Sequence, residues 1–425
     1  MSTPPPSTDR RAALDPARLL GALGLPVPSP GGGLPLARLD GRTGQAVTVA
    51  AAPTPAARAV AAQRGTPLLV VVPPPRAGSA QPGGSGATDH STGTGGADDL
   101  APGAAGAAGG AVGTGPLAAP MFGVPCATGG AVGNGNGNGV RRPWPVVVAA
   151  SSPWAVAGAD CALLVRARGP ADHDGLDEHA AADLIRRFLD LSVGEGAAVA
   201  APAGPSLIEI VPFAADGVYD PEAMLAALVD GGRWVELAAG AAGEVLTVVA
   251  RIGGRSVGVT LSCPGVNGGR LTPAGCARVE RLLDWCERGG RPWVSLVDTA
   301  GVEAGADASS QEALRRAAAR ARSAEVTKLA VVVGRAVGLA ATVLGAVGAR
   351  ADLVLPWPRA RLSLTPPPPD LDPAEAARLA AADRAATEGD LLDVIHPDET
   401  RARLIELLDL ARGRREYGWP PGVAR

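Results

Sequence analysis

Histidine, cysteine and aromatic residues are scarce: the 425 residues include 4 His, 5 Cys, 7 Trp, 3 Phe and 2 Tyr. The cysteines (Cys126, Cys161, Cys263, Cys276, Cys286) are odd in number and contain no C-x-x-C pair. That spacing argues against a structural zinc site and against a disulfide framework. Reduced thiols in a cytoplasmic protein are the simpler expectation. Charge of one sign is also missing, with 39 basic against 42 acidic residues and no long run of either. A nucleic-acid surface needs a basic stripe, and none is present. The opening MSTPPPSTDRR lacks the apolar core of a signal peptide. The most apolar stretch, Leu329 to Leu355, is broken by Arg335 and Arg350, short of the roughly 20 uncharged residues a membrane span needs. It reads as a buried strand followed by a buried helix.

Glycine and proline are abundant instead, with 58 and 40 residues. Together they approach the level of low-complexity sequence, so folded and unfolded parts are expected side by side. Residues 1–16 read as a disordered leader. Residues 79–140 read as a flexible low-complexity insertion, too poor in apolar surface to offset the entropy of ordering it. Its GNGNGNG is not the G-x-G-x-x-G that feeds a helix in dinucleotide sites.

Between these stretches the pattern alternates. GQAVTVAAA (44–52), TPLLVVVPPP (66–75), PVVVAASS (145–152) and CALLVRARG (161–169) read as strands. TPAARAVAAQRG (54–65) and HAAADLIRRFLDLS (179–192) read as helices. Residues 17–192 thus form one expected domain, 193–218 a linker, and 219–425 a second domain. In the second, YDPEAMLAALVDGGRWVEL (219–237) places Pro221 in a helix's first turn and Gly231–Gly232 at its stop. EVLTVVARI and SVGVTLSC flank a GGR turn as a hairpin. TPAGCARVERLLDWCERGG (272–290) is a helix capped by Thr272. RPWVSLVDTAG (291–301) and LAVVVGRAVG (329–338) are buried strands, QEALRRAAARARSAEV (311–326) a helix, ADLVLPWP (351–358) and ARLSLT (360–365) short strands, and 396–418 a closing helix. Strands and helices in alternation give an α/β fold class.

Five blocks of this second half, in order, resemble the C-terminal domain of the acyl-CoA carboxylase carboxyltransferase β subunit family. YDPEAMLAALVDGGRWVEL is similar to its helix and "sFlEl" strand. VARIGGRSVGVTLSCP resembles the strand, Gly-Arg turn and strand that follow. RPWVSLVDTAGVEAGADA resembles "PlvtLvDvpGflpGt", VVVGRAVGLAATVLGAVGARADLVLPWP resembles "RkayGGAy" with its helix and "AwPtA" strand, and EGDLLDVIHPDETR resembles "GyvDavIhPseTR". The first half, through ARAVAAQRGTPLLVVV and PVVVAASSPWAVAGADCALLVR, resembles the paired N-terminal domain more faintly. The resemblance implies tandem crotonase-like (ClpP/crotonase) carboxyltransferase domains.

It also implies a reaction: transfer of a carboxyl group from carboxybiotin, carried on a partner protein, to an acyl-CoA. No cofactor is then bound directly. The implied partners are an acyl-CoA and a biotin carboxylase or biotin carrier subunit, within a homo- or hetero-oligomer. Such chemistry develops negative charge on a thioester oxygen and on a ureido oxygen, and main-chain N–H groups at a tight turn stabilise both. Gly338 and Ala340, in Val337-Gly338-Leu339-Ala340, match the biotin-side turn, with Leu339 where the family has a second Gly. Gly301 and Gly305 match the loop walling that side. Ala157 and Gly158 stand where the family carries its N-terminal oxyanion loop. Pro73-Pro74-Pro75-Arg76 replaces the family's acyl-CoA loop, and proline offers no N–H. That departure leaves a second reading open, an impaired paralogue acting as scaffold or regulator. GVPCATGGAV (123–132) also spells something near the oxyanion motif, but it follows low-complexity sequence instead of an apolar strand and reads as coincidence, not as a displaced oxyanion loop. His396 is expected to be structural, at a helix start capped by Asp398 or Thr400.

Overall fold

The computed structural model describes residues 14–27, 36–38, 46–50, 55–64, 66–72, 146–150, 163–166, 173, 175–211, 218–238, 242–302, 307–363, 372 and 394–416. The expected insertion 79–140 lies outside them.

Two sheets organise these residues. The first runs β1 (Leu36–Arg38), β2 (Ala46–Ala50), β3 (Leu68–Val72), β4 (Val146–Ala150) and β5 (Leu163–Arg166) in spatial order, antiparallel at β1–β2 and parallel elsewhere. Helix α2 (Pro55–Arg64) connects β2 to β3. Val47, Val49 and Leu68–Val71 are buried, as expected for unbroken apolar strands in a parallel sheet. Helix α1 (Pro16–Ala22) starts on Asp15, whose Oδ1 accepts the N–H groups of Ala17 (2.8 Å) and Arg18 (3.2 Å). Leu14 is buried as well, so the ordered fold begins inside the stretch read as a disordered leader.

The second sheet runs β11 (Leu353–Pro356), β10 (Lys328–Val337), β9 (Trp293–Thr299), β8 (Arg255–Ser262), β7 (Val245–Ile252) and β6 (Trp234–Glu236), with β12 (Arg361–Ser363) beside the far end of β10. The β7–β8 hairpin and the β6–β7 pair are antiparallel; β8 through β12 are parallel. Every residue of β9 is buried. Alternate residues of the central strands feed two cores. Trp293, Val297, Ala330 and Val332 face one side, with α6 (Pro273–Gly289), α7 (Ala308–Ser323) and α8 (Gly338–Val343). Val294, Leu296, Leu329 and Val331 face the other, with α5 (Pro221–Leu228) and α9 (Thr400–Glu416). The result is three layers with covered faces, the condition for a parallel sheet. The apolar stretch 329–355 is a strand followed by a helix, and no helix among the described residues is long and apolar enough to cross a membrane.

Two features differ from the sequence expectation. Helix α5 ends at Leu228, short of the two glycines, because Asp230–Gly232 tighten into a separate 3₁₀ turn with Gly231 at φ +59°. Helix α3 (Glu178–Ser192), assigned by sequence to the first domain, is bonded to α1 through Arg186 to Ala22 O and is also bound to the second sheet. Arg251 donates to its Asp190 carbonyl and to Val193 O (3.0 Å), and Arg291 donates to Ser192 O (2.6 Å). These guanidinium groups complement the negative end of the helix. Ile185, Phe188 and Leu189 share a core with Val279 and Leu282 of α6.

Candidate active site

Two loops singled out in the sequence meet at the C-terminal ends of β9 and β10. This is where parallel α/β sheets place ligands, because strand ends and helix starts converge there. The first loop is Asp298-Thr299-Ala300-Gly301. Thr299 is buried; its hydroxyl donates to Gly269 O (2.7 Å) and accepts the N–H of Gly301 (3.1 Å). Ala300 N–H donates to Gly268 O (3.1 Å), and Leu271 N–H donates to Gly301 O (3.2 Å). The loop is therefore braced from below by residues 268–271. Gly301, at φ +105°, lies against Val337, where an added β-carbon would sit 3.5 Å from Val337 Cγ1.

The second loop is the turn from β10 into α8. Val337 is the extended N-cap (φ −109°, ψ 127°), and Gly338 opens the helix at φ +59°. A residue with a β-carbon is strained by about 1–2 kcal/mol in that left-handed region, so this position calls for glycine. Leu339, standing where the related pattern has a second glycine, keeps ordinary negative φ and packs half-buried against the core. The left-handed step thus falls on the glycine the chain has kept. Gly338 is partly exposed, whereas Ala340 is completely buried. The first N–H groups of a helix have no carbonyl partner within it. A ligand oxygen can meet such a group at Gly338, but the buried Ala340 presents no surface to one.

Beneath this turn is a buried polar cluster that sequence reading passed over. Asp298 is buried, and its Oδ1 accepts from the main-chain N–H of Arg335 (3.0 Å) and from Arg335 Nε (3.1 Å). Tyr219, buried nearby, donates to Ser262 O (3.3 Å). Burial first, and the Asp298 charge second, push its phenol well above the usual value. Burial likewise pushes the Cys263 thiol up to about 11. The available signal was an acidic residue ending an apolar strand (VSLVD) beside a Gly-Arg inside the next (VVVGR).

Of the residues singled out by sequence, Gly301, Gly338 and Ala340 are described. Gly305, Ala157 and Gly158 lie outside the described residues, as do Pro73–Arg76 and 123–132. His396 is structural, but the cap is its own. Its Nδ1 accepts from Asp398 N (3.4 Å), and Glu399 accepts from His396 N (3.4 Å). Asp398 instead accepts from Ile208 N (3.3 Å), at the start of α4 (Leu207–Ile210). Thr400 accepts from the indole of Trp357 (3.0 Å).

Comparison with known proteins places this site inside a recognised region. Residues 165–389, just over half of the chain, match the family model described as the carboxyl transferase domain. The chain is 27% identical over 234 residues to the methylmalonyl-CoA carboxyltransferase 12S subunit of Propionibacterium freudenreichii subsp. shermanii, covering 49% of this chain and 45% of that one. It is 27% identical over 241 residues to the biotin-dependent long chain acyl-coenzyme A carboxylase beta4 subunit of Mycobacterium tuberculosis, covering 51% and 46%. The chain spans about half the length of the curated relatives it matches. Among solved structures, the transcarboxylase 12S hexamer with hydrolysed methylmalonyl-coenzyme A bound superposes with a TM-score of 0.53 at 21% identity, covering 63% of this chain and 65% of that one. That likeness establishes the crotonase-like fold.

Proposed function

Because the chain belongs to the carboxyl transferase domain family, we propose that it moves a carboxyl group between carboxybiotin on a partner protein and an acyl-CoA. The observation that carries this reading is the meeting of Gly301 and Val337–Gly338 at the ends of β9 and β10, inside the matched region. In the reaction the acyl-CoA α-carbon loses a proton and the N–CO2 bond of carboxybiotin breaks. The released CO2 forms the new C–C bond, and the ureido nitrogen takes up a proton. Negative charge develops on the thioester oxygen and on the ureido oxygen along the way.

The chain's part is to hold those oxygens. Gly338 N–H is assigned to the ureido oxygen and Gly301 to the wall beside it, and the resemblance gives Gly305 the same part. A single well-placed donor of this kind is worth about 3–4 kcal/mol of transition-state stabilisation. Ala157 and Gly158 serve the acyl-CoA oxygen. The matched relatives include subunits of biotin-dependent carboxylases, and the transcarboxylase 12S structure shows hexamer assembly and substrate binding to a multienzyme core. We accordingly assign this chain to an oligomer that works with a biotin carrier subunit.

The test combines the purified protein with biotin carboxylase, biotinylated carrier, ATP, labelled bicarbonate and a panel of acetyl-, propionyl- and long-chain acyl-CoA. Acid-stable label is expected in at least one acyl-CoA. Absence of label across the panel, while a carboxyltransferase control subunit incorporates it, contradicts the proposal.

A further inference from the structure

Strand β10 is interrupted just before the Gly338 turn. Its pairing with β9 runs Lys328–Val332 against Trp293–Val297 and resumes only at Ala336 opposite Thr299. Val333, Gly334 and Arg335 therefore stand against the single residue Asp298. The other edge breaks at the same place: Val332 is the last residue paired with β11, and Arg335 is the first paired with β12. An interruption of this kind strips main-chain groups of their ladder partners.

One carboxylate fills the gap. Asp298 Oδ1 accepts both the main-chain N–H of Arg335 (3.0 Å) and its Nε (3.1 Å). The Asp298 side chain is 6% exposed and that of Arg335 21%. The carboxylate has room only because residue 334 is glycine. A β-carbon there would lie 2.6 Å from Asp298 Cγ and 2.8 Å from Oδ1, an overlap that forces one of them to move.

We propose, on the carboxyltransferase reading above, that Asp298 is a positioning residue for the donor turn. By fixing Arg335 on both its main chain and its side chain, it sets where β10 resumes. From there only Ala336 and Val337 separate the anchor from Gly338. A main-chain donor is useful only within about half an ångström of its productive position, so an anchor three residues away governs it directly. Asp298 touches no reacting atom in this scheme; it acts through Arg335.

The experiment compares the full chain with Asp298→Asn and Gly334→Ala. The second variant displaces the carboxylate without changing any charge, and serves if the first does not fold. Amide exchange followed by mass spectrometry is read for 334–341 and, as internal reference, for the hairpin 245–262. Exchange in 334–341 is expected to rise about tenfold while the hairpin stays unchanged. In biotin-dependent decarboxylation of malonyl-CoA by the same proteins, kcat is expected to fall at least about tenfold with KM for the thioester within about twofold. Unchanged exchange in 334–341, or equal acceleration throughout, overturns the proposal, because Asp298 is then either idle or a general stabiliser. If the unaltered chain shows no biotin-dependent turnover while 334–341 still responds, the carboxyltransferase reading fails and the anchoring role stands.

Discussion

Asp230 and Arg401 form an ion pair of 2.7 Å across 171 positions of sequence, with their side chains 5% and 18% exposed. The same carboxylate accepts the N–H groups of Gly253 (2.9 Å) and Gly254 (2.6 Å) at the β7–β8 turn. One buried charge thus ties the start of α9 to the hairpin of the second sheet.

Asp230→Ala removes the carboxylate partner of Arg401, which keeps its bond to Val199 O (2.6 Å), and takes the acceptor from two main-chain donors. Removing one partner of a buried pair costs about 3–5 kcal/mol. The urea midpoint of the variant is expected to fall accordingly with an unchanged slope. A loss below about 1 kcal/mol, the range of exposed pairs, shows that the pair is solvated and not structural.

Gly338→Ala puts a β-carbon at φ +59°. The strain is about 1–2 kcal/mol if the turn keeps its shape. Stability is expected to drop by no more than that, while biotin-dependent turnover drops much further, because a shifted turn misdirects the donor. Proportionate losses in both, read from thermal melts and initial rates, place the donor elsewhere.

Cys263, Cys276 and Cys286 are buried thiols. Burial pushes Cys276 and Cys286 up to about 12 and Cys263 up to about 11, from an ordinary 9.0. The folded state therefore keeps these protons where the unfolded chain releases them. Their contribution to stability is complete below about pH 9 and is lost as pH rises toward 11–12. At pH 9 a thiol with its pKa near 12 is thiolate in roughly one molecule per thousand, against half in the unfolded chain. With Cys126→Ser and Cys161→Ser in place, iodoacetamide at pH 9 is expected to label the native protein at least about 50-fold more slowly than the urea-unfolded one. Comparable rates contradict the burial.

Local chemistry made much of the second half readable. The apolar run of β9 announces a strand covered on both faces, and the Gly-Gly-Arg turn announces the β7–β8 hairpin. Thr272 caps α6 as expected, accepting from Gly275 N at 3.2 Å, and Gly290 ends that helix at φ +63°. What stayed hidden depends on distant partners. Nothing in VVVGRAV reveals that its pairing breaks, because the break is filled by Asp298, 37 positions earlier. The amphipathic pattern of α3 shows that one face is buried, not that Arg251 of β7 and Arg291, just before β9, hold its end. The pattern Val337-Gly338-Leu339-Ala340 marks a strand-to-helix turn, but does not show that Gly338 takes the left-handed step or that Ala340 is buried.

The most direct test of the central claim needs no partner subunit. The purified chain is incubated with malonyl-CoA or methylmalonyl-CoA, with and without free biotin, and the thioesters are followed by mass spectrometry. Running the proposed transfer backwards, the carboxyl group passes to the ureido nitrogen and is then lost as CO2. Acetyl-CoA or propionyl-CoA is expected to form in proportion to biotin, and to be suppressed in Gly338→Ala. Thioester that stays intact with biotin present, or is lost at the same rate without it, contradicts the account.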